Sequence, residues 1–354
     1  MISKEFFKAL DQVAEERDIP KEKILDIFGK GLLNAYKKDY NGQQNAKVVF
    51  NEEKAEILIV ATYLVVDTID PEAEKGTQIT VDEAQELKKN AKVGDIIEVK
   101  ITPKEFGRIA ASSAKQILTQ GLKQLERERN YEIFTEKTGE MVIAEIVAVN
   151  DDFVTLYLGY ETETSIPARD LVGSDITVGN QIRVYITKVE QTTKGPKVYV
   201  SRTDRNLVKR LMEQAIPELQ EGIVEIMGLA RDPGDRCKVC VASNNPKVDP
   251  VGACLGRNGS RIKEVIDSLD GEKIDIYKYS EDPAELVSNA IQPAKSVHVI
   301  VDVKEKSATV IVPDDQLSLA IGKKGQNARL AVQSSGWKID IKSETDAVIQ
   351  GIDY

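Results

Sequence analysis

VGACLGRNGSRIKEVI, residues 251–266, and LSLAIGKKGQNARLAV, residues 317–332, are one pattern written twice. Each starts with an apolar run of helical spacing, reaches a Gly-x-x-Gly, and opens a second run of helical spacing. Each then leads into a strand, EKIDIY around Ile274 and WKIDIK around Ile339. The two loops, Gly256-Arg257-Asn258-Gly259 and Gly322-Lys323-Lys324-Gly325, start 66 residues apart. Glycine at both ends lets the backbone take positive φ and lets another chain approach with no Cβ in the way. The second helix begins at the loop, so its unpaired N–H groups and the positive end of its dipole face the same point. Basic side chains sit where a phosphate would: Arg257, Arg261 and Lys263 in one copy, Lys323, Lys324 and Arg329 in the other, with no acid among them. One such loop is an ordinary turn; two in the same context are a repeated unit.

Working outward, a helix and two strands precede each loop. In residues 203–280 the pattern predicts a helix near Asn206–Gln214, strands at Ile223–Leu229 and Cys237–Ala242, the helix pair, and the strand EKIDIYKY. Residues 281–354 repeat it with PAELVSNAI, SVHVIVDV, SATVIV, the helix pair and WKIDIKS. This order resembles two tandem KH domains of the bacterial (type II) form. The resemblance implies loops that clamp the backbone of single-stranded RNA. The candidate RNA-binding residues are Gly256, Arg257, Asn258, Gly259, Arg261 and Lys263 in the first loop, and Gly322, Lys323, Lys324, Gly325, Asn327 and Arg329 in the second. A carboxylate placed at Gly256 or Gly322 is expected to weaken RNA binding while leaving the fold largely intact.

Upstream, residues 138–202 change character. EMVIAEIVAV, DFVTLYLG, ETSIPARDL, QIRVYITKV and KVYVSR are short runs rich in β-branched residues and divided by turns. Five short strands in this space suit an OB barrel, and LGYETETSIPARDL resembles the repeat of the ribosomal S-one type. In DFVTLYL, Val154, Leu156 and Leu158 share one face and should point inward, leaving Phe153 and Tyr157 on the other. These two rings are candidate stacking platforms for bases; alternatively they pack against a neighbouring domain.

Residues 1–137 read as an α/β domain ending in a spacer helix. Phe6, Phe7, Leu10 and Val13 space one apolar helical face, and Ile24, Leu25, Phe28, Leu32 and Leu33 space the next, with Asn41-Gly42 breaking the pattern. Strands are expected at Lys47–Phe50, Glu56–Asp67 and DIIEVKITP, followed by a long helix through FGRIAASSAKQILTQGLKQLERERNYEIF.

The formal net charge is −10. Residues 1–137 carry 22 basic and 25 acidic groups, residues 138–202 carry 6 and 9, and residues 203–354 carry 20 and 24. No segment is basic in bulk, so RNA binding must use local patches, and the surroundings repel nonspecific polyanions. No stretch has the length of a membrane span and the start MISKEFFKAL is not a signal peptide, so a cytoplasmic, non-membrane protein is expected.

The three cysteines are Cys237, Cys240 and Cys254. Cys237 and Cys240 form a C-x-x-C, but RCKVCVAS reads as a strand, where residues three apart point to opposite faces. There is no second C-x-x-C, and the sole histidine, His298, lies far along the chain in the alternating run SVHVIVDV. No metal site, no cofactor and no catalytic residues are expected, since neither a phosphate-binding fingerprint nor a histidine-based triad is present.

The order of parts, with FGRIAASSAKQIL, KGPKVYVSRT, GLARDPGDRCKV, VDPVGACLGRNGSRI, GEKIDI and DDQLSLAIGKKGQNARLA along it, resembles the NusA family of bacterial transcription factors. The resemblance spans essentially the whole chain. It implies an α+β multidomain protein: an N-terminal polymerase-binding domain (1–137), an OB barrel (138–202) and two KH domains (203–280 and 281–354). It implies a monomeric, non-enzymatic elongation factor that docks on core RNA polymerase and contacts nascent single-stranded RNA. Such a factor modulates pausing, intrinsic termination and antitermination, with other antitermination factors as possible partners. Some family members carry acidic C-terminal repeats that mask the RNA surface; this chain ends soon after the second KH unit, and no such masking is expected. Many members place a basic residue third in the first loop, where this chain has Asn258.

Two other classes use the same modules. An RNA chaperone for ribosome assembly would use the same surfaces. An RNA-degrading phosphorolytic enzyme would need a large catalytic body and would place KH before the barrel, the reverse of this order.

Overall fold

The computed structural model describes residues 4–17, 19–40, 45–73, 76–100, 106–171 and 175–353. The chain divides into two compact units, Met1–Arg129 and Asn130–Tyr354.

The first unit contains α1 (Lys4–Arg17), α2 (Lys21–Tyr40), β1 (Ala46–Asn51), β2 (Glu56–Val66), β3 (Gln78–Thr80), α3 (Val81–Leu87), β4 (Ile96–Lys100) and most of α4 (Phe106–Glu136). Phe7 and Leu10 of α1 and Ile24, Phe28 and Leu32 of α2 are buried together with Ile57 and Ile59 of β2 and Leu125 of α4. Each such side chain contributes about 1.5–3 kcal/mol by leaving water. The side chain of Phe6 and the break at Asn41-Gly42 lie outside the described residues, as do the side chains of 106–115. β2 is the centre of the sheet: it pairs antiparallel with β1 and β4 and parallel with β3. In this unit sequence spacing revealed neither β3 nor α3. The start of α3 is a capping box, in which Thr80 accepts from the Glu83 N–H and the Glu83 side chain accepts from the Thr80 N–H.

In the second unit, β5 (Met141–Val149), β6 (Phe153–Tyr157), β7 (Glu163–Pro167), β8 (Gln181–Thr192) and β9 (Gly195–Ser201) form a five-stranded sheet in the order β7-β6-β5-β8-β9. The sheet curls into a nearly closed barrel, and the Thr164 hydroxyl of β7 donates to the Val198 carbonyl of β9 at 2.6 Å. Val154, Leu156 and Leu158 point inward, as the alternation predicts, beside Ile146, Val184 and Ile186. Phe134, from the last turn of α4, belongs to this same core. A chain starting at residue 138 would therefore lack one buried ring of the barrel core.

The first KH unit holds α5 (Arg205–Ala215), α6 (Pro217–Gln220), β10 (Val224–Asp232), β11 (Arg236–Ser243), α7 (Pro250–Leu255), α8 (Ser260–Ser268) and β12 (Lys273–Lys278). The second holds α9 (Pro283–Ala290), β13 (His298–Asp302), β14 (Ser307–Val312), α10 (Leu317–Ile321), α11 (Gln326–Ser335), β15 (Lys338–Ser343) and α12 (Glu344–Ile349). Both sheets repeat one topology: an antiparallel hairpin whose second strand pairs parallel with the last. Asp249-Pro250 and Asp282-Pro283 start α7 and α9 by the same chemistry. Aspartate accepts from the first N–H groups, and proline occupies the position that has no N–H to satisfy.

Buried charges join these modules. Arg202 donates to the Arg183 carbonyl of the barrel at 2.8 Å and to the Ser268 carbonyl and Asp270 carboxylate of the first KH unit at 2.9 and 2.6 Å. Arg231 forks onto Glu272 and donates to the carbonyls of Arg202 and Asp204 at 2.9 and 2.7 Å. Each guanidinium is buried with its N–H groups partnered, which offsets the cost of removing the charge from water. Between the KH units, β10 lies against α11 so closely that a Cβ on Gly228 would come within 1.9 Å of the Ser334 carbonyl oxygen.

Candidate nucleic-acid interface

The two glycine loops are superimposable in backbone conformation. The first glycine has φ 71° and ψ −178° at Gly256, and φ 76° and ψ 168° at Gly322. The third residue is left-handed in both, with φ 54° at Asn258 and 52° at Lys324. The fourth, Gly259 or Gly325, caps the following helix with φ near 73–74°. Neither α8 nor α11 has a side-chain N-cap. The first N–H of each helix, at Ser260 and Gln326, donates back to the Arg257 or Lys323 carbonyl, and the positive dipole end of each helix faces the loop, where it favours an anionic oxygen.

Around this backbone the structure sorts the sequence candidates into two groups. Arg257, Asn258, Lys263, Lys323 and Lys324 are exposed. Arg261, Asn327 and Arg329 have partners in the protein, Arg329 while remaining exposed. The Arg261 guanidinium donates to Glu218 of α6 at 2.7 Å and to the Ala253 carbonyl at 2.8 Å. Burial alone would raise the Glu218 pKa, but its own backbone N–H and Arg261 outweigh that and hold it below the usual carboxylate range. Asn327 is buried, and its amide nitrogen donates to the Ile291 and Ala320 carbonyls, both at 2.9 Å. Arg329 reaches Asp232 of the first KH unit at 2.8 Å. These contacts tie the helices that follow the loops to the surrounding fold.

Arg261 and Asn327 occupy equivalent places, five residues after the first glycine. A Cβ on Gly256 would come within 2.7 Å of the Arg261 Cγ, and one on Gly322 within 2.8 Å of the Asn327 Cβ and backbone nitrogen. The first glycine of each loop is therefore demanded by packing as well as by φ. This corrects the expectation that a carboxylate at Gly256 or Gly322 leaves the fold largely intact. A charge reversal that spares the fold belongs at the exposed second and third positions.

Sequence reasoning missed the residue before each loop. Leu255 and Ile321 are 39% and 37% exposed. They set an apolar side chain beside each glycine turn, and the repeated apolar-Gly step was the signal for them. On the barrel, Phe153 is 49% exposed and Tyr157 is half-buried. The structure thus opens Phe153 to solvent and Tyr157 only in part.

Cys237 lies in the first KH core and Cys240 in the cluster it shares with the second, so the C-x-x-C faces two ways. Among the described residues no group of three His, Cys, Asp or Glu side chains is placed to hold a metal ion. No helix among them is long and apolar enough to cross a membrane.

Known families match along the chain in the same order. The NusA N-terminal domain matches residues 5–128 and the S1 RNA binding domain residues 135–201. The NusA-like first KH domain matches residues 202–279 and the NusA-like second KH domain residues 283–348. The transcription termination/antitermination protein NusA of Bacillus subtilis is 44% identical over 352 residues, covering 99% of this chain and 94% of its own. Its counterpart in Halalkalibacterium halodurans is 43% identical, covering 99% of this chain and 91% of its own. That of Thermus thermophilus is 38% identical, covering 96% and 89%. With its four domain types in order and identity sustained over nearly its full length, the chain belongs to the NusA family of transcription termination/antitermination proteins.

Proposed function

We propose that this chain links nascent single-stranded RNA to core RNA polymerase and so modulates pausing, intrinsic termination and antitermination. The observation that carries the reading is the duplicated loop: a left-handed turn, an uncapped helix N-terminus and exposed cations, twice on one body. Arg257, Asn258 and Lys263 contact RNA backbone at the first loop and Lys323 and Lys324 at the second, with Phe153 of the barrel stacking a base. The first unit docks on polymerase. The chain works as a cytoplasmic monomer, performs no catalysis, and shares the elongation complex with other antitermination factors.

Arg257→Asp with Asn258→Asp, and Lys323→Asp with Lys324→Asp, test the clamp. Each pair should weaken RNA binding. Each phosphate contact on a single strand contributes about 0.7 to the log–log salt slope, so the second pair should lower that slope by about 1.4. Unchanged affinity in the quadruple variant refutes the clamp. Co-sedimentation with core polymerase tests the division of labour: residues 1–129 should bind polymerase without RNA, and residues 130–354 should bind RNA but bind polymerase only weakly. Degradation of labelled RNA in phosphate and Mg²⁺ that tracks with the chain would refute the non-enzymatic reading.

A further inference from the structure

The two glycine loops are supported differently. In the first KH unit the support is internal, through Arg261 and Glu218 of α6. The second unit has no described counterpart of α6, since α9 is followed directly by β13 in the element order. Internally its loop has only the bonds of Asn327 to the Ile291 and Ala320 carbonyls described above, and it is met in addition by the β10–β11 hairpin of the first unit. Gln326 immediately follows Gly325 and opens α11, and its single amide nitrogen donates to Asp232 at 2.7 Å and Asp235 at 2.8 Å. Asp232 also accepts from Arg329, one turn further along the same face, at 2.8 Å. The far end of α11 is fixed by the same neighbour: the Tyr277 hydroxyl donates to Ser334 at 2.9 Å, and Gly228 lies under the Ser334 carbonyl. Ser260, the counterpart of Gln326 in the first unit, is too short to make such a bridge.

We propose that Asp232 and Asp235 of the first KH unit are positioning residues for the second RNA-binding loop, acting through Gln326 and Arg329. The inference rests on the reading of Gly322–Gly325 as an RNA clamp. A loop that must present several N–H groups to one phosphate loses affinity when the helix start behind it can shift. The two carboxylates fix that start through hydrogen bonds strengthened by their charge. Competence of the second loop thereby depends on the folded hairpin of the first unit, which couples the two RNA sites.

The test uses the full chain with the first loop disabled by Arg257→Asp and Asn258→Asp, so that the remaining RNA affinity depends on the second loop, against a constant contribution from Lys263 and the barrel. In that background Asp232→Ala with Asp235→Ala should weaken binding of a short single-stranded RNA about fivefold or more. Asp232→Asn with Asp235→Asn keeps an acceptor oxygen at each position and should restore most of the loss. If the double alanine variant does not fold, Gln326→Ala breaks the contact from the other side and should give the same loss. In a chain whose second loop is disabled by Lys323→Asp and Lys324→Asp, neither change should weaken binding further. Parental affinity in both the alanine and Gln326→Ala variants overturns the proposal, as does an equal loss when the second loop is already disabled. If Lys323→Asp with Lys324→Asp itself leaves binding unchanged, the clamp reading fails first and the proposal with it.

Discussion

Cys237 and Cys240 stand three residues apart on β11 and face two different hydrophobic cores. A strand alternates its side chains, so β11 serves as a wall between the KH units, with one thiol packed on each side. Burial pushes the Cys240 thiol up to about 11 and the Cys254 thiol up to about 12, and raises Cys237 further still. At pH 8 all three are protonated and shielded, and the thiolate is the reactive form. Ellman's reagent should therefore titrate none of them in the folded chain and all three in urea. Rapid reaction of either Cys237 or Cys240 under native conditions would contradict the two-sided packing.

The first and last glycines of each loop should respond differently to a methyl group. Gly256→Ala places Cβ against the Arg261 stem at a φ and ψ that side chains rarely adopt. Such strain costs on the order of 1–3 kcal/mol, with displacement of the Arg261–Glu218 contact in addition. Gly259→Ala meets open space and pays only the left-handed preference, about 1–2 kcal/mol. Urea midpoints of the two variants should rank Gly256→Ala as the less stable. The reverse order would show that Arg261 yields easily.

The repeated loops and the strand alternation in DFVTLYL were legible because each is local: a few neighbouring residues fix the geometry. The partners of Arg261, Asn327 and Arg329 were illegible for the opposite reason. The two charges and the one amide, placed after a glycine loop, suit a phosphate contact, and only the folded chain brings Glu218, the Ile291 carbonyl and Asp232 within reach of these residues. Phe134 was likewise hidden. Its spacing places it on a long helix, and nothing in that spacing says that the last turn closes the next domain's core.

Phe153 and Tyr157 should not contribute equally to RNA binding. Phe153 opens β6 at the rim with its ring exposed, while Tyr157 at the other end is half-buried. Base stacking is worth about 1–3 kcal/mol per base. Phe153→Ala should lose affinity within that range with little change in thermal stability, and Tyr157→Ala should lose less affinity. Isothermal titration with a short single-stranded RNA measures both. No loss on Phe153→Ala would remove the barrel from the RNA path.

Lys238 is the test of the seam between the KH units. It lies on β11 with no exposed surface, and its ammonium meets Asp275 at 3.3 Å and the Gln292 carbonyl. Burial lowers its pKa from 10.5, opposed by Asp275 and reinforced by Arg236. Lys238→Met keeps the volume and removes the charge. Asp275 retains Arg236 at 2.7 and 3.0 Å, so the change leaves no carboxylate unpaired. The Gln292 carbonyl loses a donor, worth about 1 kcal/mol, against relief from burying an ammonium. At neutral pH the two proteins should therefore differ by no more than about 1–2 kcal/mol. The pH dependence is the sharper reading. Below the lowered native pKa, Lys238 is charged in both states and the cost of burying it is fully present. Between that value and 10.5 the unfolded chain holds a proton that the folded chain has released, so the wild type gains stability relative to Lys238→Met as pH rises. The thiols are common to both proteins and cancel in the comparison. Urea midpoints from pH 7 to pH 10 should move in favour of the wild type; a constant difference would mean that the buried lysine titrates as it does in the unfolded chain.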